Sequence, residues 1–225
     1  MSTVTVKPII LIPVFNGRDS LLRLISEIQA ICSYPILVVN DGSQDQLTQS
    51  DLPACSYLEH DHNMGKGAAL KTGLEYAARS VFTHAVTLDA DGQHDPRLIE
   101  NFVQVSIGSP QVLCVGRRDL LKPEMPVHRM ISNNVTSMIL SLRTSLRIYD
   151  SQVGYRCYPL NDSRLWDSIE DGFQFESAVF FNAAKLKMNL AWQWIPVIYG
   201  TEASNIHLIK DTLRFIRTVF RSFKW

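Results

Sequence analysis

An unbroken apolar run, Ile9-Ile10-Leu11-Ile12-Pro13-Val14, is the strongest constraint on how this chain folds. A strand with one wet face alternates apolar and polar side chains. A strand without alternation is covered on both faces, as in the middle of a parallel sheet with helices on either side. Pro35-Ile36-Leu37-Val38-Val39 repeats the pattern. Between the two runs, from about Asp19 to Cys32, Leu21, Leu22, Ile25, Ile28 and Ile31 stand near helical spacing. Strand, helix, strand, with turn residues after each strand, predicts a doubly wound α/β sheet. A chain of 225 residues can bury a full core, so one domain is expected. Ligands of such sheets bind beyond the strands' C-terminal ends, where Asn16, Asp41 and Asp89 are expected to meet.

A third apolar stretch, His84-Ala85-Val86-Thr87-Leu88, reads as a buried strand that breaks into Asp89-Ala90-Asp91-Gly92-Gln93-His94-Asp95-Pro96. In extended chain Asp89 and Asp91 share a side and can reach one hard divalent cation, and Gln93 adds a neutral oxygen. Magnesium or manganese held this loosely is suited to bridging the oxygens of a substrate diphosphate. Asp-x-Asp-Gly is also a common turn. A calcium EF-hand is the sharper rival, since Asp89, Asp91, Gln93, Asp95 and Glu100 fall at loop positions 1, 3, 5, 7 and 12. It fails on detail: His94 replaces the required glycine, Pro96 interrupts the loop, and a strand precedes it instead of a helix.

Elsewhere, Asn63-Met64-Gly65-Lys66-Gly67 opens a helix from about Ala68 to Arg79. It does not match the G-x-x-x-x-G-K-[ST] phosphate loop, but Lys66 near a helix N-terminus is a candidate phosphate ligand. A helix from about Arg97 to Ser106 leads to the strand Gln111–Val115, which ends in Gly116-Arg117-Arg118. Paired arginines there are a solvated rim or, through Arg117, a diphosphate clamp. After Pro123 and Pro126 a helix is expected from His128 to about Leu142.

Charge and cysteine usage exclude other classes. Twenty-two basic residues balance twenty-two acidic ones, so no bulk field favours nucleic acid. Cys32, Cys55, Cys114 and Cys157 form no C-x-x-C pair, which argues against a zinc site or a disulfide framework. With no signal-like N-terminus and no apolar run near about 18 residues, a cytoplasmic protein is expected, with at most a peripheral hold on a membrane. From Asp211, Leu213, Ile216, Val219, Phe220 and Phe223 share one helical face edged by Arg214, Arg217, Arg221 and Lys224. Such a helix suits an anionic bilayer surface, or packs on the domain with its arginines in water.

Five ordered segments then carry a resemblance: Ile12-Pro13-Val14-Phe15-Asn16, Val38-Val39-Asn40-Asp41-Gly42-Ser43, Asn63-Met64-Gly65-Lys66-Gly67-Ala68-Ala69, Asp89-Ala90-Asp91-Gly92-Gln93-His94 and Asp150-Ser151-Gln152-Val153-Gly154-Tyr155-Arg156. In order and rough spacing the chain resembles family 2 glycosyltransferases, above all the dolichyl-phosphate mannose synthase branch. The resemblance implies a single GT-A domain with a mainly parallel central sheet. It implies a nucleotide-sugar half to about residue 95, an acceptor half to about 205 and a basic C-terminal helix over 206–225. It also implies inverting transfer of a hexose from a GDP-mannose or UDP-glucose type donor to a lipid-linked acceptor such as polyprenyl phosphate. Pro13, Val14, Asn16 and Asp41 match positions that hold base and ribose, with Lys66, Ala90 and Arg117 on the donor side. Asp89 and Asp91 match the metal-binding pair, Gln93 a third contact to Mg2+ or Mn2+, and Gln152 and Arg156 the acceptor segment. Asn40 in place of the usual first Asp, Gly17 in place of Glu, and Val153 before Gly154 depart from the family pattern.

A phosphate monoester, with a second pKa of about 6, is an anion at neutral pH and needs no base. A glycan or glycolipid hydroxyl does need one. Glu176, and after it Asp150, are the candidate bases. Their structural alternatives are a helix N-terminus for Glu176 and a pairing with Arg156 for Asp150. A non-catalytic nucleotide-sugar-binding protein is a further alternative, opposed by the intact Asp89/Asp91 pair.

Overall fold

The computed structural model describes residues 5–118, 127–167 and 175–198, with 127–132 described by backbone alone. Strand β1 (Pro8–Val14) is buried along its whole length, as its unbroken apolar sequence requires. Helix α1 (Arg18–Ile31) returns the chain to β2 (Ile36–Asn40), which is also buried throughout. Then come β3 (Ser56–Glu59), α2 (Lys66–Arg79), β4 (His84–Thr87) and α3 (Ile99–Gly108), followed by β5 (Leu113–Arg118), α4 (Val127–Thr144), β6 (Arg156–Pro159), α5 (Phe175–Lys185) and β7 (Leu190–Ile195).

These strands form one seven-stranded sheet in the order β3-β2-β1-β4-β6-β5-β7. Helix α2 lies close on β1, because Gly73 has no Cβ; one added there would stand 2.2 Å from Leu11 Cδ1. All pairings are parallel except those of β6, which runs antiparallel between β4 and β5. The reversal decides where the site lies. An antiparallel strand begins where its parallel neighbours end, so the loop entering β6 arrives at the rim that carries the acidic loop after β4. Register puts Thr87 opposite Arg156, and the Thr87 hydroxyl donates to the Gly154 carbonyl at 2.6 Å.

The α/β class and the first two strands are as the periodicity predicts. Three strands, β3, β6 and β7, were not legible. The half-exposed β3 is short, and β6 begins inside what reads as a Gly154-Tyr155-Arg156 turn. Pairing with β7 carries β5 on through Arg117 and Arg118, the residues read as lying beyond its end. Helix α2 starts at Lys66, not Ala68, and a short 3₁₀ turn over Pro96–Leu98 delays α3 to Ile99. The basic C-terminal segment lies outside the described residues. No helix among the described residues is long and apolar enough to cross a membrane.

Candidate active site

The acidic loop leaves β4 on a hydrogen bond from Leu88 N to Leu11 O, 3.1 Å, which ties it to the central strand. Asp89 N donates to His94 Nδ1 at 3.0 Å, and Gln93 N donates to Asp91 Oδ1 at 2.9 Å, closing a tight turn through Gly92. His94 is buried against the Tyr155 ring, with centroids 5.0 Å apart. Burial pushes its imidazole down to about 4, against the opposing pull of Asp89, so it is neutral near pH 7 and serves as a staple of the loop.

The Asp89 carboxylate meets Lys66 at the start of α2: Nζ lies 2.7 Å from Asp89 Oδ1 and 2.8 Å from Glu176 Oε1, which α5 supplies. The Glu176 contact is one of charge, not an aligned hydrogen bond. Burial favours the neutral amine, but the charges of Asp89 and Glu176 outweigh it and raise the Lys66 pKa. Burial likewise works to raise Asp89, and the charge of Lys66 leads the interactions that hold it below the usual carboxylate range. Gly154 closes the group from above. A Cβ there would stand 2.8 Å from both Asp89 oxygens and 2.9 Å from Lys66 Nζ.

Of the residues read as holding base and ribose, Asp41 is sequestered. Its Oδ1 accepts from His60 Nδ1 at 2.7 Å and Met64 N at 2.9 Å, and its Oδ2 from Gly65 N at 2.8 Å. The carboxylate thus fixes the turn that presents Lys66. Pro13, Val14 and Ala90 have buried side chains, so whatever they offer a ligand comes from the backbone. Asn16 is exposed in a left-handed conformation, φ 52°, and clasps the β2 turn: its N–H donates to Ser43 Oγ at 2.9 Å and its Oδ1 accepts from Gln44 N at 2.7 Å.

The arginine assignment needs correction. Side chains alternate along β5, and Arg118, not Arg117, faces the acids. Arg118 Nε and Nη2 hold Asp150 Oδ2 and Oδ1 at 2.7 and 3.0 Å, and its charge also reaches Asp89. Arg117 stacks on Tyr149 and Trp194, 3.8 and 4.2 Å from the ring centroids. The expected Asp150–Arg156 pair is not formed. Arg156 is fully buried and donates to the carbonyls of Val153, Glu176 and Ser151 at 2.9, 2.8 and 3.2 Å, bracing the loop instead of facing an acceptor. Asp150 takes a further hydrogen bond from Asn133 Nδ2 at 2.9 Å. Burial works to raise Asp150, yet the charge and hydrogen bonds of Arg118, with Asn133, hold it below the ordinary range. Gln152 remains exposed at the lip.

Among the described residues no three His, Cys, Asp or Glu side chains stand together as a cation cage. The donor set nonetheless fits a hard cation of the magnesium type, which takes one or two carboxylates and completes its shell with substrate phosphate and water. Asp89 and Asp91 would be those carboxylates, and the Lys66 ammonium stands on Asp89 Oδ1 as a positive charge.

A mixed sheet with an acidic loop at its parallel rim defines a GT-A glycosyltransferase fold. Glucosyl-3-phosphoglycerate synthase from Mycobacterium tuberculosis, solved with Mn2+, UDP and glucosyl-3-phosphoglycerate, superposes with a TM-score of 0.71 over 96% of this chain and 78% of that one, at 15% identity. Mannosyl-3-phosphoglycerate synthase from Rubrobacter xylanophilus gives 0.71 over 97% and 73%, at 17% identity. A model of glycosyl transferase family 2 matches residues 9–157, and the chain belongs to that family. Its relatives include the UDP-N-acetylglucosamine–dolichyl-phosphate N-acetylglucosaminyltransferase of Methanococcus voltae, 27% identical over 84% of this chain and 85% of the relative. The polyprenol monophosphomannose synthase of Mycolicibacterium smegmatis is 25% identical over 68% and 62%.

Proposed function

We propose that this glycosyltransferase moves a hexose, with inversion, from a nucleotide-diphosphate sugar of the GDP-mannose or UDP-glucose type to a lipid phosphate of the polyprenyl phosphate kind. The observation that carries the acceptor class is the state of the two candidate bases. Asp150 is gripped by Arg118 and Asn133 and held below the ordinary carboxylate range, while Glu176 is spent on Lys66. A hydroxyl acceptor needs a carboxylate able to take its proton. A phosphate monoester arrives already ionised. The M. voltae relative, named for transfer to dolichyl phosphate, and the M. smegmatis relative, named for a polyprenol monophosphomannose product, support the same acceptor class.

Asp89, Asp91 and Gln93 would hold Mg2+ or Mn2+, which when bound supplies positive charge to the leaving diphosphate. Lys66 and Arg118 add fixed cationic charge beside it, and the Asp41 turn and Arg156 brace hold these groups in place. Gln152, exposed at the lip, is a candidate acceptor contact.

The test is a donor panel (GDP-mannose, UDP-glucose, UDP-N-acetylglucosamine) with Mn2+, offered a short polyprenyl phosphate and the matching polyprenol, with lipid products read by mass spectrometry. Glycosyl phosphopolyprenol is the expected product. Transfer to the alcohol but not the phosphate would replace this reading with the hydroxyl one. Donor binding without transfer or hydrolysis would point to a binding protein.

A further inference from the structure

We propose that the outer face of α4, with the arginine and aromatic rim that runs from it to β7, is the surface by which this protein rests on an anionic membrane. The site would then take its acceptor directly from the bilayer. That last consequence rests on the lipid-phosphate reading above; the surface itself rests on separate observations.

Helix α4 has two unlike faces. Inward, Thr136, Ser137 and Leu140 are buried, Asn133 donates to Asp150, and Ser137 bonds to Ser151 at 3.0 Å. Outward, Val135, Met138 and Leu142 are 45%, 57% and 75% exposed, at spacings of three and four that align them in one stripe. A helix face that meets only water carries charged residues at such positions.

Within the helix and the turn that follows it, the charge has one sign. From Val127 to Tyr149 the sequence holds no Asp or Glu but has Arg129, Arg143 and Arg147, and the last two are exposed. A chain of stacked groups continues the surface. Arg147 lies 4.9 Å from the Tyr149 ring centroid, Arg117 lies between Tyr149 and Trp194, and Trp194 is 56% exposed on the edge strand β7. Apolar side chains edged by arginines, with Trp and Tyr at the border, match the layers of an anionic bilayer surface, where the rings sit at headgroup level and arginine stems reach the phosphates.

The surface also lies next to the chemistry. Arg117 in the rim and Arg118 on Asp150 are neighbours on β5, and Asp150 is held from behind by α4. A lipid whose tail stays in the bilayer could therefore bring its phosphate to the lip at Gln152.

The experiment is flotation of the full chain with vesicles of phosphatidylcholine alone or mixed with phosphatidylglycerol. It compares wild type, Met138→Glu/Leu142→Glu, Arg143→Glu/Arg147→Glu and, in the separate C-terminal stretch, Phe220→Glu/Phe223→Glu, with melting curves to verify folding. Wild type should float with the anionic vesicles, and the two α4 variants should lose about tenfold or more of the bound fraction. Transfer to a short, water-soluble polyprenyl phosphate should stay within about twofold in both. Vesicle binding that survives both α4 variants and falls only with the Phe220/Phe223 pair overturns the proposal. So does equal flotation with neutral vesicles, or a dimer that α4 substitution dissolves while flotation is unchanged. Flotation as expected with no transfer to any phosphate would sink the acceptor reading and leave the surface standing.

Discussion

Two carboxylates of the site, one in each part of the sheet, are neutralised in different ways. Asp89 ends the parallel part and is met by a lysine ammonium, a single point of charge shared with Glu176. Asp150 enters the mixed part and is met by both arms of an arginine and an asparagine amide. A bidentate guanidinium fixes geometry, whereas an ammonium on a flexible stem is exchangeable. These contacts leave Asp89 on an exchangeable partner and tie Asp150 firmly into the fold.

The sharpest way to break this contrast is to remove each acid's function in turn. Asp89→Ala or Asp91→Ala should lower nucleoside diphosphate release with Mn2+ by about 10³-fold, with melting close to wild type. If either variant kept wild-type turnover, the exchange role would be lost. Next in size, Arg118→Met leaves Asp150 buried and unpaired and should cost about 3 kcal/mol in denaturant unfolding. Asp89→Asn removes a partly solvated carboxylate and leaves Lys66 its Glu176 partner, so it should cost clearly less stability than Arg118→Met; equal losses would erase the contrast. Gly154→Ala puts a methyl against both Asp89 and Lys66 and should weaken donor binding about tenfold by calorimetry, with about 1 kcal/mol of stability lost as the ends of those side chains give way.

The smallest effect is a pH dependence in the core next to both parts. His84 is held below its ordinary value by burial, against the opposing hydrogen bond to the Pro110 carbonyl. The unfolded chain therefore binds a proton at a pH where the folded chain does not, and stability falls as pH drops below about 6.5. Asp150, lowered in the fold, adds a loss of the same sign further down, below the ordinary carboxylate value. His94, pushed down to about 4 by burial, adds a loss of the same sign over the same window, so in melts across pH His84→Gln should make the upper part of this slope shallower without removing it and leave the lower part in place.

The site was legible to the extent that its chemistry is written in short segments. Asp89, Asp91, Lys66 and Glu176 were each singled out from sequence, and the first, second and fourth strands announced themselves by apolar runs. What failed depended on pairing across the sheet. Choosing between Arg117 and Arg118 required knowing that β5 runs on beside β7 and which of its faces meets Asp150. The strand β6 was hidden because Arg156, a charged residue, begins it, and that charge is tolerated only because three carbonyls receive it. Asn133 gave no signal at all in a helix of mixed character.

The sequence by itself determined the α/β layering and the acidic rim, since apolar runs and i, i+2 carboxylates are local facts that any burial of those strands must respect. Only the tertiary structure decided which cation answers which acid. The antiparallel insertion of β6 brings residues about sixty apart along the chain, Asp89 and Gly154 among them, into contact, and hydrogen bonding in a buried space admits one set of partners where the sequence offers several.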